Sequence, residues 1–302
     1  MDGKDLLRRV RILLLEESGA DFLDDRSTFD FIYEAAKELV RRTKSLTTTQ
    51  AITTVANQAS YDLNGDFLGL YLKQGDNRYY LKYNDGTNDV FIYFKDYEDV
   101  IYENDTTGVT IPYNFTISDK QSLYDRVTGT VTSDGAAVGN KSTLTDSGGG
   151  LGNVWPGDSV HNTTDGSDGV VVTATSATAL DTCLFDGTND DWTSGDAYII
   201  QPQARYQITF NPPPSTAGHT ATLYYLQRPV PVYCDYDVYR IPLDFTEALI
   251  KYACWLYKYR DRAPDYGDKF YLYWDHQLRQ MKHGTTEARR RASWGVNLKR
   301  RR

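Results

Sequence analysis

The sequence predicts an α+β protein: a helical bundle built from an N-terminal and a C-terminal helix pair, with β segments between them and an inserted all-β barrel or sandwich domain. Three observations predict it. Apolar residues recur at helical spacing at both ends of the chain. Between them lie Thr-, Val-, Ile- and Tyr-rich stretches punctuated by Asn-Asp-Gly and Asp-Gly turns. Composition also shifts sharply at about residue 127 and shifts back at about 202: this block holds 12 of the 23 Gly, ten Asp, no Glu and one basic residue, Lys141.

Each element follows from its residues. Leu6, Leu7, Val10, Leu13 and Leu14 predict a helix over Lys4–Glu17, with Arg8, Arg9 and Arg11 facing away and Gly19 as its stop. A second helix is capped by Ser27 or Thr28 and carries the stripe Phe29, Ile32, Tyr33, Ala36, Leu39 and Val40. Arg41, Arg42 and Lys44 suit its C-terminal dipole. Strands begin near Leu46. Tyr79–Tyr83 and Val90–Phe94 flank Asn84-Asp85-Gly86 as a hairpin, and Tyr97–Tyr102 forms a short helix or strand. Within the Gly- and Asp-rich block, Val170–Thr173 is a strand and Gly148–Gly150 a loop. The segment Trp155-Pro156-Gly157-Asp158 is loosely echoed by Trp192-Thr193-Ser194-Gly195-Asp196. Arg205–Phe210 and Thr220–Gln227 are strands joined through Pro212–Pro214, and Arg228–Pro231 is extended. Pro242 opens a helix to about Tyr259 with Phe245, Leu249, Tyr252, Ala253 and Leu256 on one face. Pro264 starts another to about Lys282, with Phe270, Tyr273, Trp274, Gln277 and Met281 near one stripe, and Gly284 stops it. The resulting organisation is a core of 1–126 and 202–284, an inserted domain of 127–201 and a basic tail of 285–302.

Charge and chemistry narrow the function. The net charge is −8, yet 285–302 alone carries +6, so the remaining residues carry −14. An acidic body with a basic arm points to interaction. No apolar run reaches the ~18 residues of a membrane span. Three widely spaced cysteines, Cys183, Cys234 and Cys254, predict neither a disulfide framework nor a CxxC zinc pair. His161, His219, His276 and His283 have no metal-ligand spacing, and no nucleophile elbow or phosphate loop is present. The Asp-rich turns Asp165–Asp168 and Asp186–Asp191 lack the calcium-loop pattern and read as hairpin turns. Nothing selects a catalytic set, a metal site or a cofactor, so the expectation is a non-enzyme. The tail combines Arg289, Arg290, Arg291, Lys299 and Arg300 with apolar Trp294, Val296 and Leu298. A purely electrostatic tail has no need of Trp, whereas Trp and Arg anchor interfaces. This favours a docking arm over a DNA contact or a solvated end.

Three places carry a resemblance. They are the N-terminal helix pair followed by Tyr61-Asp62-Leu63-Asn64-Gly65-Asp66-Phe67-Leu68, the strand Leu223-Tyr224-Tyr225 leading into Arg228-Pro229, and Ile241-Pro242-Leu243-Asp244-Phe245 with Glu247, Ala248 and Leu249. Together they resemble tailed-bacteriophage head-to-tail connector, or adaptor, proteins over about 1–120 and 202–302. The family often has Leu-Pro-x-Asp-Phe where this chain has Asn64-Gly65 before Asp66-Phe67. The block around Gly157-Asp158 and Gly195-Asp196 separately resembles a β module of phage virion proteins. The resemblance implies a structural virion protein at the neck, assembled in the host cytoplasm. It implies a self-associated ring, commonly a dodecamer, below the portal protein and above the next tail or neck protein, with genomic DNA passing through its lumen. An acidic lumen would let DNA slide. The arm 285–302 would then dock on the portal. The sequence also fits two rivals: a phage surface protein whose β domain binds host glycans through Trp155, Trp192 and Tyr198, and a DNA-binding protein using its tail.

Overall fold

The computed structural model describes residues 2–15, 24–71, 80–96, 98–99, 108–120, 125–239, 245–260 and 265–280. The expected bundle-dominated α+β class is corrected by it. The protein is mostly β, built on two sheets, one of them nearly barrel-like. The misreading has a physical source. Helices at both chain ends repeat over several turns and stand out, whereas many of the strands are only two to seven residues long and pair with partners far away in sequence. The chain divides into two compact units, Met1–Ser45 with Val232–Arg302, and Leu46–Pro231.

The first unit is helical. Helix α1 (Gly3–Leu14) is capped by Asp2, whose carboxylate accepts from Asp5 N at 2.9 Å, and buries Leu6, Val10 and Leu14. Helix α2 (Asp25–Thr43) is capped by Asp24, not by Ser27 or Thr28. The Asp24 carboxylate accepts from Ser27 N at 2.5 Å and Ser27 Oγ at 2.9 Å, so Ser27 already lies in the first turn. Helix α3 (Thr246–Arg260) packs on both. It buries Ala248, Leu249, Ile250, Ala253 and Cys254, pairs Glu247 with Arg9 at 2.5 Å, and brings Tyr257 against Phe31. Helix α4 (265–280) seats Trp274 against Tyr252 of α3 with ring centroids 4.5 Å apart and under the Arg42 guanidinium of α2 at 5.8 Å. Tyr273, expected near the buried stripe, is 61% exposed, because the next residue, Trp274, takes the core position. Gly3 lies so close to the 232–238 segment that a Cβ there would meet Cys234 O at 2.3 Å. The predicted stops Gly19 and Gly284, Pro242, and most of 97–102 lie outside the described residues.

The second unit holds both sheets. The larger comprises β1 (Thr47–Thr53), β2 (Ser60–Asp62), β3 (Phe67–Leu70), β4 (Tyr80–Asn84), β5 (Asp89–Phe94), β6 (Asn114–Asp119), β14 (Tyr206–Asn211) and β15 (Thr220–Gln227). Its order is β1-β15-β4-β5-β6-β14-β2, with β3 also pairing β15. All ladders are antiparallel except β5–β6. The expected hairpin is β4–β5. Asn84 Oδ1 accepts from the N–H of Gly86, whose φ of 92° explains a glycine at that place. Where the path ends, Gln50 of β1 donates to Asp62 O at 3.0 Å and accepts from Asn64 N at 2.9 Å. One side-chain amide thus ties the first strand of the path to the last. Tyr83, Phe115, Phe210, Leu223 and Tyr225 fill the interior of this sheet.

The smaller sheet takes β7 (Val127–Thr130), β8 (Ala137–Val138), β9 (Lys141–Thr145), β10 (Ser159–Asn162), β11 (Asp168–Ser176), β12 (Ala179–Phe185) and β13 (Ala197–Gln201). Its order is β7-β13-β10-β11-β12-β9-β8, all antiparallel. Just past β7, Thr132 N donates to Thr145 O at 2.8 Å, so the sheet curls back towards β9. Trp192, Tyr198, Leu144, Leu184 and Ile200 form its core.

Candidate assembly site

Every tail residue selected from the sequence, Arg289, Arg290, Arg291, Trp294, Val296, Leu298, Lys299 and Arg300, lies outside the described residues. Among the described residues a polar joint connects the two sheets, and it brings together Asp66, Asp158 and Arg228.

Its first part is a turn that the sequence contains twice. Asp158 N donates to Trp155 O at 3.0 Å and its carboxylate accepts from Trp155 N at 2.9 Å. Asp196 repeats this with Thr193, at 3.0 and 2.8 Å. A glycine precedes each Asp, Gly157 with φ 97° and Gly195 with φ 101°. The weak echo in the sequence is therefore one turn used twice, closed each time by an Asp reaching back three residues. The tryptophans are not equivalent. Trp192 lies one residue further upstream and enters the core.

At the first turn the carboxylate does more. Asp158 is fully buried and accepts from Gln203 N at 2.9 Å and from Arg205 Nη2 at 2.6 Å. Arg205, 3% exposed, also donates to the carbonyls of Gln203 and Asn153, both at 3.3 Å. Gln203 ties the turn to the larger sheet. Its amide nitrogen donates to Gly157 O, and its amide oxygen accepts from Arg228 Nη1 at 2.9 Å. Arg228 in turn donates to Ala204 O at 3.0 Å and, through its backbone N–H, to Asp66 O at 2.7 Å. The Asp66 carboxylate accepts from Tyr225 Oη at 2.7 Å and from Gln227 Nε2 at 2.8 Å. Burial pushes the Asp158 carboxyl up from its usual range, and the Arg205 charge with the two backbone N–H groups pulls it back. Burial first, and then Asp66, raise the Tyr225 phenol well above its usual value.

Packing closes the same joint. A Cβ on Gly65 would lie 2.3 Å from Trp155 Cγ and 2.4 Å from Cδ1, so the indole rests on the bare glycine backbone. This accounts for Gly65 at the position that the Leu-Pro-x-Asp-Phe pattern leaves open. Asn64-Gly65-Asp66, Arg228 and Gly157-Asp158 were visible as motifs. Gln203 and Arg205 were not singled out, because nothing local in the sequence distinguishes a buried Arg from a solvated one.

The other candidates resolve into structural roles. Trp192 and Tyr198 are 1% and 2% exposed and pack edge to face at 6.4 Å. Trp192 Nε1 donates to Thr182 and Tyr198 Oη donates to Asp146. Neither is available as a glycan platform. Asp165 accepts from Ser167 N and Oγ, both at 2.8 Å, as expected of a turn. His161 pairs with Asp168 at 2.8 Å, His219 with Tyr83 at 3.0 Å and His276 with Gln280 at 3.0 Å, each at a separate place. Among the described residues no helix is long and apolar enough to cross a membrane.

A family model described as SU10 adaptor protein matches residues 1–161. No curated protein matches the chain.

Proposed function

The chain belongs to the SU10 adaptor protein family, and from that premise we propose that this bacteriophage structural protein forms a ring below the portal, extends the DNA channel and joins the head to the next tail or neck protein. The family match over 1–161 carries the reading. The charge distribution supports it: −14 outside the tail suits a conduit past which DNA slides, and +6 in 285–302 suits an arm that grips an acidic partner. In this reading 1–126 and 202–284 are the adaptor core, 127–201 is an added β module, and no bond chemistry is performed.

The arm docks on the portal through Arg289, Arg290, Arg291, Lys299 and Arg300, with Trp294, Val296 and Leu298 filling apolar pockets. The test mixes the purified full chain with portal protein and measures particle mass and affinity at low and high salt. A defined ring-on-portal complex is expected. Trp294→Ala should weaken it more than any single Arg→Ala and should do so at both salts, while the Arg effects fade as salt screens them. Removal of 285–302 with no change in portal binding would overturn the docking arm. A chain that stays monomeric with portal would overturn the ring.

A further inference from the structure

We propose that the joint around Asp158 and Arg205 is a registry lock, holding the seven-stranded sheet at one fixed orientation on the eight-stranded sheet so that both move as a single lever. The chain runs from β6 of one sheet to β7 of the other and returns from β13 to β14. Two covalent connections of a few residues would by themselves let a domain swing. The joint ties the two sheets by three further routes. The Asp158 carboxylate, beside β10, meets Arg205, beside β14. Gln203 binds Gly157 on one side and Arg228 on the other. The Trp155 indole rests on Gly65, next to β3.

The chemistry of the tie argues for orientation over stability. A buried ion pair gains little net stability, because desolvating both charges offsets their attraction. Well-packed apolar residues in the same place often do as well or better. What the pair supplies is a penalty for every other arrangement. Arg205 and Asp158 are 3% and 0% exposed, so a rotation that separates them leaves two charges away from water and from each other. Arg228 and Gln203 add direction: Arg228 grips the 203–204 connection through two donors, and Gln203 passes the tie on to Gly157 O.

Spin labels carried by unnatural side chains at the exposed positions Ala51 of β1 and Ala174 of β11 report the orientation in the full chain. Their pulsed dipolar distance distribution should be single and narrow in the native protein. Asp158→Asn should broaden it at least about twofold, because the amide no longer offsets the buried Arg205 charge. The double variant Asp158→Asn with Arg205→Met removes both charges and keeps an acceptor for the Trp155 and Gln203 N–H groups; it should be more stable than Asp158→Asn yet stay broad, and it decides the matter if Asp158→Asn does not fold. A narrow, native-like distribution in the double variant would overturn the lock, because the charge pair would then not set the orientation.

Discussion

Replacing Gly65 by Ala should change sign according to what residue 155 is. In the native protein the added Cβ would stand 2.3, 2.4 and 2.8 Å from three atoms of the Trp155 indole. Ordinary carbon contacts begin near ~3.5 Å, so the ring or the 65–67 backbone must retreat by roughly 1 Å. Overpacking of this size costs about 1–3 kcal/mol. For a unit the size of Leu46–Pro231 that corresponds to a melting temperature lower by roughly 2–12 °C. With Trp155→Ala already in place the obstacle is gone. The backbone of Gly65 lies outside the left-handed region, so alanine fits without strain. Gly65→Ala should then raise stability by about 0.4–1 kcal/mol through a less flexible unfolded chain. Urea melts of the native protein, both single variants and the double variant give the coupling, expected at about 1.5–4 kcal/mol. Gly65→Ala that is neutral in the native background, or equally harmful in both, would refute the contact.

Other outcomes follow from features equally local. Gly3→Ala should destabilise the helical unit by more than about 1 kcal/mol, since its Cβ would meet the backbone oxygen of Cys234 at 2.3 Å; guanidinium melts followed by helical circular dichroism check it. Asp24→Ala should cost about 1 kcal/mol by removing the cap of α2, and Asp24→Asn should restore most of it. Burial pushes the Cys254 thiol from 9.0 up to about 12. The folded state therefore favours the neutral thiol: this contribution is whole below pH 9.0 and is lost as pH climbs towards about 12. Alkylation at about pH 8 should accordingly stay slow until denaturant opens the helices. Deletion of 127–201 with a short Gly-Ser bridge should leave the helical signal intact; its loss would show that the block is not modular.

The helices were legible because Leu6, Val10 and Leu14, or Phe29, Ile32, Tyr33, Ala36, Leu39 and Val40, repeat at 3.6-residue spacing. The cap of α2 was displaced by three residues because Asp, Ser and Thr all serve as caps and several lie in a row. The sheet content was underweighted for a different reason. β6 pairs in parallel with β5 and antiparallel with β14, some ninety residues away, and no local pattern announces such partners. The joint shows the same limit. Asp66, Arg228 and Asp158 each sat in a quoted motif, but only folding brings residues so far apart in sequence into one network.

The Gln50 amide bears on how copies of this chain can coexist at high local concentration. Edge strands with bare N–H and C=O rows recruit further strands from neighbouring molecules, and proteins crowded together must blunt them. Here the first and last strands of the larger sheet are stitched to each other by a side chain that donates to Asp62 O and accepts from Asn64 N. Strand invasion through that seam would first have to unpick the stitch. In the ring proposed above, recognition between copies would thereby be steered away from open-ended main-chain polymerisation towards side-chain faces, which can close on themselves after a fixed number of subunits.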